Sequence, residues 1–323
     1  MKGLQAPPKT EKPSRLVARF LTLIIFASAA GVVIYTAVTN QRADLVEDIR
    51  PVNLDLEDIS VIDGFLTNVR QDPGGPTPAV ILHDFDVTGG LILDDLSFGL
   101  GEAYHGVRLD LPGFGYSTRM PTQGPHHTVS GLAQRVAPVL EERFGSPVLV
   151  VGAGLGGEVG TELALTRPDL IAGLVMVDVD FWSEAPFPES LESIPWVGKA
   201  ATYTWETGGQ FALDNWAPYC DAGGWCPRSD QISLRLLIIE IENTTDSLHG
   251  FRSTPDAALA PSNLDDIAVP VAYVWSTDGK VSEDTIDRLK AELPGLNVME
   301  SATFQAHLED PATVTAALAS VDE

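Results

Sequence analysis

The sequence predicts an α/β protein in which a mainly parallel central sheet carries helices on both faces, takes a helical insertion, and follows one membrane-crossing helix. Three observations predict it. From about residue 55, short β-branched apolar runs alternate with amphipathic stretches, as expected for strands joined by helical crossovers. The apolar run SPVLVVG (146–152) passes through a glycine-rich turn straight into the helical stretch EVGTELALTRP. Between Phe181 and about Asp266 the alternation stops, and five of the six tryptophans and both cysteines lie in that interval.

Taken in order, residues 1–14 hold Pro7, Pro8 and Pro13 among polar side chains and read as a disordered tail. Residues 20–38, FLTLIIFASAAGVVIYTAV, carry no charge, and a helix of that length reaches roughly 28 Å, close to the thickness of a bilayer core. Lys2, Lys9, Lys12, Arg15 and Arg19 precede it against only Glu11, which keeps the N-terminus cytoplasmic and places the main domain outside. Ala27-Ser28-Ala29 has the small-x-small form of a signal-cleavage site, but the apolar stretch continues for nine residues beyond it, so an uncleaved anchor is the reading kept.

Next, LEDISVIDG and FLTNVRQD (56–72) form an opening antiparallel pair, and AVILH (79–83) is the first buried strand. A helix near 91–104, a strand at Val107–Leu111 and a helix near 129–143 follow, the last kinked by Pro138. IAGLVMVDV, PVAYVW (270–275) and LNVME (296–300) supply later strands, and a helix from about Pro311 closes the chain. The divisions are a cytoplasmic tail (1–19), an anchor (20–41), a linker (42–54), a core (55–180 and 267–323) and a lid insertion (181–266).

Composition narrows the function. Over 323 residues, Lys+Arg number 20 and Asp+Glu 45, a net charge of −25 that repels phosphate backbones and argues against nucleic acid as a partner. Cys220 and Cys226, six apart in CDAGGWC, are too few for a disulfide framework, but an oxidising compartment would let them form one local clip. The adjacent pair His126 and His127 lacks further ligands in a metal-binding pattern, so no metal is expected. The glycine string 152, 154, 157 lacks the βαβ opening of a dinucleotide site, so no cofactor is expected either.

Five motifs in register then resemble the α/β-hydrolase superfamily from residue 55 onward. AVILHDF resembles its strand ending in His-Gly, RLDLPGFGYS (108–117) its Asp-x-Pro-Gly-x-Gly-x-Ser loop, and VLVVGAGLGGEVGTELALTRPDLIAGLVMVD its nucleophile elbow with the helix and strand that follow. WSTDGKV and ATFQAHLEDP resemble its acid-bearing and histidine-bearing loops. The resemblance implies a Ser-His-Asp triad, yet the GxSxG elbow reads Gly152-Ala153-Gly154-Leu155-Gly156, so Gly154 stands at the serine position. Asp278 matches the triad acid, Phe304 falls at the catalytic histidine, and His307 matches a second, structural histidine and is the fallback base.

The resemblance also places the oxyanion-hole donors at the backbone of Phe85 and Leu155, where Asp84 replaces the family's glycine and sets a carboxylate beside any developing oxyanion. Trp182, Trp196, Trp205 and Trp216 are candidate linings of a lid pocket, although packing of the lid on the sheet is the preferred explanation for them. The expected function is a membrane-anchored, extracytoplasmic protein with a decayed triad that binds a small apolar ligand or a protein partner. The alternative is an active hydrolase or lyase on a small ester-like or apolar substrate, working through Asp278 and His307.

Overall fold

The computed structural model describes residues 58–120, 125–182, 198–199, 202, 226–254 and 263–322. The anchor candidate at 20–38 lies outside them, and among the described residues no helix is long and apolar enough to cross a membrane. Cys226 is disulfide-bonded; Cys220, the chain's other cysteine, lies outside the described residues, as do Trp196, Trp205 and Trp216.

Eight strands form one sheet: β1 (Ile59–Ile62), β2 (Phe65–Gln71), β3 (Thr77–Leu82), β4 (Tyr104–Leu109), β5 (Val148–Ala153), β6 (Ile171–Val177), β7 (Val271–Ser276) and β8 (Asn297–Ser301). Their order is β1-β2-β4-β3-β5-β6-β7-β8; β2 pairs antiparallel with β1 and β4, and every pairing from β4 through β8 is parallel. Asp63, at φ 52°, and Gly64, at φ 78°, make the tight β1–β2 turn.

The buried strands read as continuous apolar runs because both faces are covered. In β3, Val80 and Leu82 face one core layer while Ala79 and Ile81 face the other; in β5, Val148 and Val150 oppose Leu149 and Val151 in the same way. The first layer holds helices α2 (Val129–Phe144) and α3 (Leu155–Thr166), and the second holds α1 (Asp94–Gly99) and α8 (Pro311–Val321). Each fully buried Leu, Ile or Val contributes about 1.5–3 kcal/mol.

Local signals set the helix ends. The Thr128 side chain caps α2 by accepting from Gly131 N at 3.1 Å, and Gly145, at φ 61°, ends it; Pro138 lies within this helix. Asp310 caps α8 by accepting from Thr313 N, with Pro311 in the first turn.

The helix expected at 91–104 is shorter than its sequence pattern suggests. A 3₁₀ turn (Gly89–Leu93) leads into α1, which ends at Gly99, and β4 begins at Tyr104 and stops at Leu109 rather than Leu111. Pairing with β3 decides this, because Tyr104 sits opposite Thr77 and recruits the start of the run into the sheet.

Between β6 and β7 the described residues include helices α4 (Ser229–Ile239) and α5 (Thr244–Ser253); α6 (Glu283–Glu292) and the short α7 (Ala306–Glu309) follow β7 and β8. Ion pairs hold this inserted segment to the core: Arg228 contacts Asp94 at 2.6 Å and Asp95 at 3.0 Å, and Arg235 contacts Asp86 at 2.6 Å. Phe251 of α5 packs on Phe114 and Phe85 with ring centroids 5.1 and 6.1 Å apart.

Candidate functional site

The carboxyl ends of β3, β5, β6 and β7 converge on the turn between β5 and α3. Gly154 occupies that turn at φ 45° and ψ −116°, a conformation open to glycine and costly for any residue with a Cβ. Its N–H donates to Val177 O at 3.0 Å, which ties the turn to β6. A Cβ on Gly152 would overlap the backbone of Gly156 and Gly157, so these glycines let α3 start flush against the strand.

Asp84 stands directly over this turn. Its Oδ1 accepts from Phe85 N at 2.7 Å and from Leu155 N at 3.0 Å, the two donors assigned to an oxyanion hole. A Cβ added to Gly154 would overlap the Asp84 carboxyl group. The loop therefore supplies its own anion to the donors and fills the space a nucleophile would need. The N-terminus of α3 also favours negative charge at this point.

His83 orients Asp84. Its Nε2 accepts from Leu111 N at 2.9 Å, so Nδ1 carries the proton and donates to Asp84 O at 2.5 Å. Burial pushes the His83 imidazole below its ordinary pKa, which favours this neutral tautomer.

The Asp-x-Pro-Gly-x-Gly-x-Ser loop has an architectural role. The Asp110 carboxylate accepts from Asn68 Nδ2, Gly90 N and Tyr116 N at 2.7–2.9 Å, and Ser117 Oγ donates to Asp110 O at 2.7 Å. Arg119 donates to the carbonyls of Phe114, Gly115 and Ser117 and to Thr244 Oγ1 of α5, joining this loop to the inserted segment. Burial lowers its guanidinium pKa to about 10.

The structure sets the acid-bearing and histidine-bearing loops side by side. Asp278 is exposed in the turn after β7, where its N–H donates to Thr303 O at 3.2 Å. Phe304 is half-buried, and its N–H and that of Gln305 donate to Glu309 Oε1. His307 is buried in α7 with Nδ1 unpartnered, and no hydrogen bond joins it to Asp278 among the described residues. Trp182 is half-buried beside Phe181, with Arg288 of α6 lying 3.9 Å above its ring.

Three carboxyl groups that sequence reasoning passed over lie here. Asp178, at φ 51° just past β6, accepts from Ser276 N at 2.7 Å, Ser276 Oγ at 2.6 Å and Ala306 N at 3.3 Å. Burial pushes its pKa up, while the Ser276 hydrogen bonds and the nearby His307 act against that push. Asp178 thus fastens the histidine-bearing loop to the end of β7. Glu158, in the first turn of α3, is only 8% exposed, and burial with Asp84 and Asp180 nearby raises its pKa to about 8. A lone acid four residues after Gly154 in a glycine-rich stretch, and acids directly after an apolar strand, were the available signals.

Comparison with known proteins agrees with this architecture. An esterase of Mycobacterium tuberculosis is 35% identical over 106 residues, 33% of this chain and 34% of the esterase. The lipase LipV of the same organism is 34% identical over 109 residues, 34% of this chain and 40% of the lipase. The matched stretch thus spans little more than a third of either relative. A hydrolase structure from Pseudomonas aeruginosa superposes with a TM-score of 0.65 at 19% identity, covering 83% of this chain and 99% of that one. The sequence pattern of the alpha/beta hydrolase family matches residues 73–318, and the chain belongs to that family.

Proposed function

We propose that this protein is a membrane-tethered, extracytoplasmic member of the family whose elbow binds a ligand without catalysing ester hydrolysis. One observation carries the reading: the Asp84 carboxyl group fills the oxyanion-hole donors and overlaps the position of any side chain at residue 154. Substrate oxygen has no free donor pair there, and Gly154 has no nucleophile to offer. Loss of a triad nucleophile or base alone costs about a millionfold in rate. The tether is the uncharged run 20–38 behind its basic flank, which directs the acidic domain outward.

The test uses the full chain in mild detergent with short-chain p-nitrophenyl esters, the class to which the named relatives point. The expected result is no turnover above buffer. Turnover abolished by His307→Ala or Asp278→Ala would overturn the reading. The tether is tested by fractionation: the full chain stays with membranes through high salt and alkaline carbonate, and deletion of 20–38 releases it.

A further inference from the structure

We propose that the cleft between the β1–β2 hairpin and α2 binds a small monocarboxylate anion through Arg135, at a site separate from the elbow. The cavity there measures about 30 Å³, room for roughly two or three water-sized groups and so for one carboxylate head. Ile62, Phe65, Pro112 and Pro138 give it apolar walls, Arg135 and Thr118 supply its donors, and none of residues 152–157 lines it. Local periodicity builds it. Alternation along β2 puts Phe65 on the same face as Val69, which packs in the layer of α2, and Arg135, Pro138 and Val139 share one side of that helix.

Arg135 is half-buried, with its guanidinium carbon 3.8 Å from the centre of the Phe65 ring. Contact through the ring face leaves the N–H donors unused, and among the described residues Arg135 makes no hydrogen bond or ion pair. Arg108, Arg167, Arg228 and Arg235 all pair with carboxylates, and the chain carries 45 acidic against 20 basic residues, so an internal partner was easy to supply. Asp63 lines the same cavity, yet it stays in the β1–β2 turn at φ 52° and forms no ion pair with Arg135. On the opposing loop, Thr118 Oγ1 accepts from Leu66 N at 2.8 Å, which leaves its own proton to donate.

A planar carboxylate suits these donors, because a guanidinium pairs with it through two parallel N–H bonds and the hydroxyl can add a third. Stacking on Phe65 holds the guanidinium in place before the anion arrives, so less side-chain freedom is lost on pairing. Tetrahedral phosphate or sulfate is too bulky for the cavity and too strongly hydrated for its apolar walls. The same walls favour a short hydrocarbon body behind the carboxylate.

Calorimetric titration of the full chain in mild detergent at pH 7 with sodium butyrate, beside its neutral analogue butyramide, tests this directly. The expected result is one-site binding of butyrate, with butyramide about tenfold weaker or more. Arg135→Gln should weaken butyrate to the level of butyramide while thermal melting stays within a few degrees of the parent. Asp63→Asn removes a like charge from the cavity wall and should tighten butyrate about twofold or more, a readout that stands even if Arg135→Gln fails to fold. No butyrate binding up to about 50 mM, equal affinity for butyramide, undiminished binding in a folded Arg135→Gln, or weaker binding in Asp63→Asn would each overturn the site.

Discussion

The carboxylate of Asp84 occupies the space above Gly154 and accepts from both N–H groups that line it, Phe85 N at 2.7 Å and Leu155 N at 3.0 Å. The missing nucleophile and the filled hole are therefore one feature. Restoring a serine alone would drive its Cβ into Asp84, so position 154 cannot revert while Asp84 stands.

It follows that Gly154→Ser with Phe304→His should be inert and destabilised by about 1–3 kcal/mol through the overlap. Adding Asp84→Gly empties the donors, and the triple variant should gain ester turnover on the order of a hundredfold over the double. Steady-state rates on p-nitrophenyl acetate, read beside thermal melts, check both statements. A double variant as active as the triple would show that Asp84 does not block the hole.

Glu158 makes stability depend on pH. Its folded pKa of about 8 lies above its ordinary 4.5, so between these values the folded chain holds a proton that the unfolded chain has released. The contribution is fully present below about pH 4.5 and is lost as pH rises through about 8, by an amount on the order of a few kcal/mol. Urea midpoints at pH 5, 7 and 9 should fall across the series in the parent and fall less in Glu158→Gln.

Asp72 neutralises a buried cation. Arg108 Nε and Nη2 donate to its carboxylate at 2.6 and 2.8 Å, with both side chains almost wholly buried, and Ser97 Oγ adds a third contact at 2.6 Å. Asp72→Ala leaves that guanidinium uncompensated and should cost about 3–5 kcal/mol. Denaturant unfolding measures it, and Asp72→Ala with Arg108→Met should recover part of the loss.

Arg119 is the polar joint between the motif loop and α5. Arg119→Met removes four donated hydrogen bonds and leaves three carbonyl oxygens short of a donor. Hydrogen exchange in residues 244–253 should quicken about tenfold or more while β5 and β6 stay protected. Uniform acceleration across the sheet would show that Arg119 supports the whole core instead.

The division between sequence and tertiary structure runs through particular residues. Strand periodicity, the glycine turn at 152–157 and the five ordered motifs announced the parallel sheet, because continuous apolar runs and short turns are local chemistry. The same reading found glycine at 154, phenylalanine at 304 and a carboxylate at 84, since identities at motif positions need no coordinates. The end of α1 was less legible: pairing of Tyr104 with Thr77 is non-local and overrode helical periodicity.

Direction, burial and charge at the site were decided only in three dimensions. Sequence placed Asp84 near an oxyanion; its side-chain orientation turned it into the anion that fills the hole. Asp178 ties the histidine loop to β7, and Glu158 holds a proton near neutrality, because chain segments nearly a hundred residues apart or more bring Ser276 to the first, and β3 and β6 bring Asp84 and Asp180 to the second. Those effects depend on distance and desolvation, which residue order alone does not specify.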